Sequence, residues 1–268
     1  MSAPKGGVDA STMPLLEHLR ELRTVVVRAG IGLLFGVIVA LLFAEQIYAF
    51  MVAPMQTALA EREAGAGAMT ILGPLEGVYT YMRIGLYGGI VIASPVIFYQ
   101  IWSFVSPGLL EKEKRIVGPL VFASTGLMLL GGAFGYTVIF RFGFPFFLSV
   151  LSEGTEANIS MSSYLATSVR LLLGFGVCFQ LPVVVFFLAR MGLVNARDMI
   201  EKFRYAIVVI FIVSAIITPP DPMTQSLMAA PLSLLYAISI GVAKVFSTKG
   251  EAEEEEPEES QSPSKAGG

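Results

Sequence analysis

Long runs without a charged residue alternate with short, charge-rich connections along this chain. Six such runs stand out, at 29–44, 84–110, 116–140, 171–189, 205–220 and 222–243. An α-helix rises about 1.5 Å per residue, so about 20 apolar residues cross the hydrocarbon core of a bilayer, about 30 Å thick. The second, third and sixth runs suffice alone. The fourth suffices once 164–170 is added, and the first once 25–28 is added, with Arg28 snorkelling to the interface. The fifth is short and ends in Thr218-Pro219-Pro220-Asp221, which cannot continue a helix. Counted as a span, it must thin the bilayer or border a water-filled cavity. The pattern therefore predicts an all-α polytopic membrane protein with six transmembrane helices.

Composition agrees. Hydrophobic residues make up 54% and charged residues 15% of 268 residues, with a mean hydropathy of +0.71. Soluble domains carry about 25% charge, so a soluble enzyme, a disordered protein and a nucleic-acid binder are excluded. One Cys (Cys178) and one His (His18) leave no disulfide framework and no His/Cys metal site. Residues 250–268 hold seven Glu and one Lys, so the net charge of −3 hides a body, 1–249, at +3. That acidic stretch reads as a solvated, disordered tail. Three parts follow: an amphipathic N-terminal segment at 1–24, a membrane domain at 25–249, and the tail at 250–268.

The connections fix an orientation. Lys112, Lys114 and Arg115 follow span two, and Arg190, Arg197, Lys202 and Arg204 follow span four. Arg20, Arg23 and Arg28 precede span one, and Lys244 and Lys249 follow span six. The opposite side holds Arg62, Arg83 and Arg141, with Arg170 near the start of span four. Positive charge marks the cytoplasmic side, so both termini are expected inside. The N-terminus does not read as a cleaved signal peptide, and the chain has no Gly-rich phosphate loop.

Pro95, Pro182 and Pro231 fall inside spans two, four and six. Each removes a backbone hydrogen bond and bends its helix, so the kinked spans are expected to form a concave wall. Gln180 falls near the middle of its span. An amide there needs a partner or a wet cavity, and it serves either as glue between helices or as a docking point for another membrane helix. Residues 15–23 place Leu15, Leu19 and Leu22 at helical spacing, with Glu17 and Glu21 four apart on the polar face. Glu111 and Glu113 stand in the otherwise basic connection after span two, past the Pro107-Gly108 turn. Local pairing with Arg20, Lys112 or Lys114 is one use for these carboxylates. A face that receives guanidinium groups is the other.

The blocks His18 to Arg23, Ser94 to Leu109 with Glu113-Lys114-Arg115, Phe175 to Pro182, and Thr218 to Asp221 occur in one order on six spans. In these blocks the chain resembles the TatC family, the receptor subunits of the twin-arginine protein translocase, over about 14–249. The resemblance implies a receptor and no enzyme, without cofactor, catalytic residue or metal. It implies a multi-pass protein of the bacterial cytoplasmic (inner) membrane, present in several copies per complex. Its partners would be TatA-like and TatB-like single-span proteins, membrane lipid, and the Arg-Arg signal peptides of folded cargo, with transport driven by the proton motive force. By the same resemblance Glu21 and Glu113 receive the Arg pair, with Leu22, Arg23 and Phe104 beside them. Gln180 contacts a partner's membrane helix, with the span-five region beside it for the TatB-like protein. Pro54 and Asp221 belong to functional outward loops. Arg141 stands where many members have Pro, Ala237 where many have Glu, and Gln180 where some have Glu. The alternative from another class is a secondary transporter for a small solute or ion, which would want charged groups at mid-membrane.

Overall fold

A computed structural model describes residues 12–60, 69–105, 116–150, 158–218 and 221–246, with side chains from Leu19 onward. Helices dominate: α1 (Thr12–Leu42), α2 (Ala44–Ala60), α3 (Glu76–Val105), α4 (Val117–Phe134), α5 (Phe140–Val150), α6 (Met161–Cys178), α7 (Leu181–Arg190), α8 (Ala196–Glu201), α9 (Phe203–Ile217) and α10 (Pro222–Phe246). Five helical stretches, the fourth of them interrupted at Phe179–Gln180, are long and apolar enough to cross a membrane: Leu19–Leu42, Glu76–Val105, Val117–Val150, Met161–Arg190 and Pro222–Phe246. The sixth apolar helix, α9, has 15 residues, about 22 Å at helical rise. The boundary expected near residue 24 falls inside α1, which runs through it unbroken.

The tightest seam joins α1 to α3. Gly32 faces Val96, Gly36 faces Gly89 and Ala93, Ala40 faces Gly88, and Leu41 faces Gly85, which is an antiparallel register. The missing side chains let the backbones approach until a Cβ on Gly36 would lie 2.5 Å from the Gly89 carbonyl oxygen. Small residues serve membrane helices in this way because lipid offers no hydrophobic drive to bring helices together. Apart from this seam α1 is largely exposed.

A larger core joins α2, α5, α6 and α10 around Met51, Phe140, Tyr164, Leu165, Phe175 and Met228. Here α4 continues into α5 through a π-helical turn, Gly135–Ile139, so the helix outruns the charge-free stretch by ten residues to Val150. Arg141 ends the apolar run without ending the helix. It is exposed, and its backbone keeps the helical ladder.

At the end of the bundle remote from the basic connections, two short strands, β1 (Met69–Thr70) and β2 (Ile159–Ser160), pair in parallel, Met69 with Ile159 and Thr70 with Ser160. Glu76 closes this clasp from the first turn of α3. Its carboxylate accepts from the backbone N–H of Leu72, the Ser160 hydroxyl and the backbone N–H of Ser162. Arg83, two turns on, donates to the Ser162 carbonyl oxygen at 2.7 Å and to its hydroxyl.

Of the three prolines expected to bend spans, Pro95 and Pro231 lie inside α3 and α10. Pro182 behaves differently. The helix breaks at Phe179–Gln180, and Pro182 opens α7, where a missing N–H costs nothing.

Candidate functional site

Glu21, Leu22 and Arg23 lie exposed on the early turns of α1. Phe104 is half-buried in the last turn of α3. The seam sets their relation. Carrying the Gly32–Val96 pairing back two turns puts residue 24 level with Phe104. Leu22, Arg23 and Phe104 therefore share one end of the α1–α3 pair, and Glu21 lies at that same end on α1. Glu113 lies outside the described residues, in the connection that begins there.

Gln180 occupies the break between α6 and α7. Its Nε2 donates to the Ser124 carbonyl at 3.0 Å and to the Gly176 carbonyl at 3.2 Å, while its Oε1 is buried without a hydrogen-bond partner. The amide nitrogen is thus glue between α4 and α6, and the amide oxygen retains an unused acceptor in a place where polar groups are costly to leave unpaired. Ser124 is the residue the sequence did not single out. It accepts from Gln180 through its carbonyl and from Trp102 Nε1 through its hydroxyl, at 2.9 Å. Trp102 in turn packs against Phe187 at 5.4 Å between centroids, within a small core that also holds Leu120 and Val183. The sole Trp of the chain was the available signal, since a buried indole N–H needs an acceptor.

The expected outward loop around Pro54 is a helix: Pro54 lies inside α2. Proline has no N–H and so leaves the carbonyl four residues back, that of Phe50, without its helical donor. The Tyr136 hydroxyl fills that vacancy at 2.8 Å, and its ring stacks on Phe50 at 4.1 Å between centroids. One residue later, in the core, Tyr164 donates to the Met51 carbonyl at 2.7 Å. Pro54 thus exposes a carbonyl that ties α2 to the π turn. Replacing Tyr136 by Phe keeps the stacking and removes the donor. The expected cost is about 1–2 kcal/mol of stability, read as a lowered melting temperature beside an unchanged Pro54→Ala, Tyr136→Phe pair relative to Pro54→Ala alone.

Asp221 begins α10 as its cap. One carboxylate oxygen accepts from the Thr224 backbone N–H at 2.8 Å, the other from the Thr224 hydroxyl. Thr224 is fully buried, so the cap fixes where the helix enters the bundle. Asp221→Ala is expected to cost about 1 kcal/mol, and Asp221→Asn to restore most of it in the same thermal unfolding measurement.

Residues 17–231 match the sequence model of the family described as TatC, Sec-independent protein translocase protein. The chain belongs to the TatC family. The Sec-independent protein translocase protein TatC of Desulforapulum autotrophicum is 43% identical over 246 residues, which cover 92% of this chain and 90% of that one. The TatC protein of Helicobacter pylori strain J99 is 41% identical, covering 86% and 89%, and that of Escherichia coli K12 is 32% identical, covering 91% and 93%. The fold matches a crystal structure titled as the twin-arginine translocase receptor TatC, with a TM-score of 0.75 at 34% identity, covering 85% of this chain and 99% of that one. A second crystal structure of that receptor, in DDM, gives 0.76 over the same coverage. The protein is a multi-pass membrane component of a Sec-independent translocase. Among the described residues no three His, Cys, Asp or Glu cluster to hold a metal ion.

Proposed function

We propose that this chain is the signal-peptide receptor of its translocase, and that Glu21 and Glu113 receive the Arg pair of a folded cargo's signal peptide on the cytoplasmic side. The carrying observation is the α1–α3 register, which brings Leu22 and Arg23, with Glu21 beside them on α1, to the Phe104 end of α3. A guanidinium is planar, permanently charged, and matches a carboxylate with two parallel donors. Lys carries the charge without the fork, which gives the site a reason to prefer Arg. Leu22 and Phe104 offer apolar surface to the residues after the pair, and Arg23 flanks the slot. The positive-inside bias of the connections supports this face, and both termini, being cytoplasmic. The prolines inside α3 and α10, each of which removes a backbone hydrogen bond, and the α6–α7 break support a concave wall formed by these spans.

The test is crosslinking. A photoreactive residue at position 22 or 104 should form an adduct with an Arg-Arg signal peptide and lose it with the Lys-Lys version. Adducts of equal yield with both peptides would overturn the reading.

Gln180 is the proposed contact for a TatA-like or TatB-like single-span helix, with the exposed apolar surface of α9 beside it for the TatB-like partner. The supporting fact is its Oε1, an acceptor without a hydrogen-bond partner, which a docking helix would reach by parting the α4–α6 contact. Gln180→Leu removes the Nε2 bonds as well, so it is paired with Gln180→Glu, which keeps an acceptor. Leu is expected to reduce partner co-purification and transport several-fold with a normal protein level, and Glu to restore much of both. Full transport in Gln180→Leu would make the amide dispensable. The charged mid-membrane cluster that a small-solute transporter would use has no counterpart among the described residues.

A further inference from the structure

We propose that the corner where α7, α8, α9 and α10 meet binds the phosphate headgroup of an anionic phospholipid. The inference rests on the membrane fold of the chain and is independent of the signal-peptide reading.

The corner is a folded platform. The chain leaves α7 through Gly192, at φ 68°, and re-enters helix at Asn195, whose side chain caps α8 by accepting from the Asp198 backbone N–H at 2.8 Å. Met199 is buried in a cluster with Val185, Ala189 and Ala243. The Tyr236 hydroxyl donates to the Met199 carbonyl at 3.0 Å, and the Phe203 ring lies 5.8 Å from that of Tyr236. These contacts tie α8 and the start of α9 to α10 and decide which side chains are left outside.

Those left outside are of two kinds. Arg197, Lys202 and Arg204 are exposed, with Lys244 exposed on the last turn of α10. Interleaved with them, Leu193, Ile200 and Tyr205 are 65%, 59% and 58% exposed. Asp198 and Glu201 are the carboxylates of α8, so cations outnumber them at this corner. Arg204 is already oriented: its guanidinium carbon sits 4.8 Å from the Tyr205 ring centroid and one of its nitrogens donates to the Tyr205 hydroxyl at 3.0 Å. A stacked guanidinium keeps donors available for a phosphate.

Free phosphate, or the acidic stretch 250–268 of this chain, would meet the cations and leave Leu193 and Ile200 in water. A phospholipid answers both kinds of side chain at once, its phosphate on the cations and its acyl chains on the apolar residues. Basic side chains beside exposed apolar ones at a membrane boundary are the pattern that anionic lipid recognises.

The full chain is reconstituted in vesicles of equal parts phosphatidylethanolamine and phosphatidylglycerol, extracted in mild detergent, and its retained lipid counted by native mass spectrometry. Wild type should retain phosphatidylglycerol in preference. The triple substitution Arg197→Gln, Lys202→Gln, Arg204→Gln should reduce that preference by about tenfold or more, since each basic residue contributes to surface attraction. Single substitutions should reduce it a few-fold, and the charge-keeping pair Arg197→Lys, Arg204→Lys should preserve most of it. Wild-type retention by the triple and single variants would overturn the proposal. So would full displacement by excess inorganic phosphate, which would make the corner a simple anion site. A preference seen only after removal of 250–268 would overturn it too, by making that stretch the occupant.

Discussion

Replacing Glu21 by Gln is expected to weaken binding of an Arg-Arg signal peptide by about ten- to a hundredfold, which is the loss of one hydrogen-bonded charge contact worth about 1.5–3 kcal/mol. Gln keeps the shape and one acceptor, so the change isolates the charge. The side chain is exposed on α1, and thermal stability should stay at the wild-type value. Glu113→Gln should show a loss of the same order if both carboxylates serve one Arg pair. The double variant should then lose less than the product of the single effects, because residues acting on one ligand group are coupled. The Lys-Lys peptide, which lacks the fork, should bind wild type weakly and respond less to either change. Titration of a fluorescent signal peptide into purified protein reads all of these. Wild-type affinity in both single variants would mean that the carboxylates only pair with neighbouring Arg20, Lys112 or Lys114.

The helices that hold this site were legible where a single rule governs the chain. Charge-free runs located five long apolar helices and the short α9, because charges are costly in hydrocarbon whatever the tertiary fold. The ends of the helices were less legible. The run beginning at 84 belongs to a helix that starts at Glu76, since Glu76 and Arg83 find partners in Ser160 and Ser162, far away in sequence. The run ending at 140 belongs to a helix that continues past an exposed Arg141. α2 was hidden because its 17 residues fall short of a span and carry Pro54 inside them. The compensation comes from Tyr136, 86 residues from the carbonyl it satisfies, and no periodicity carries that information. The same reason hides Ser124, an ordinary span residue whose backbone and side chain both happen to meet partners from other helices. Of the proposed recognition face, the sequence supplies the residue types, and the α1–α3 register supplies the juxtaposition of Leu22 and Arg23 with Phe104.

That register is also where a single atom group should do the most damage. In Gly36→Val the new Cβ would meet the Gly89 carbonyl oxygen at 2.5 Å and the Ala93 Cβ at 3.2 Å. The first of these is backbone and cannot swing aside, so α1 must shift or tilt off α3. Overpacking of this kind costs about 1–3 kcal/mol, and more where backbone is involved. Because α1 has little other packing, the loss falls on the seam itself, and the Leu22 level slides away from Phe104. Gly36→Val should therefore lower the melting temperature by several degrees and weaken signal-peptide binding together. Glu21→Gln should weaken binding alone. Gly30 is the control: a Cβ there meets nothing within 4 Å. Gly30→Ala should hold or raise stability, since Ala favours helix over Gly by up to about 1 kcal/mol. Cys178, the only thiol in the chain and half-buried, reports unfolding through a thiol-reactive dye. Coincident melting and binding curves for Gly36→Val and wild type would show that the close approach of α1 and α3 does not set the recognition face.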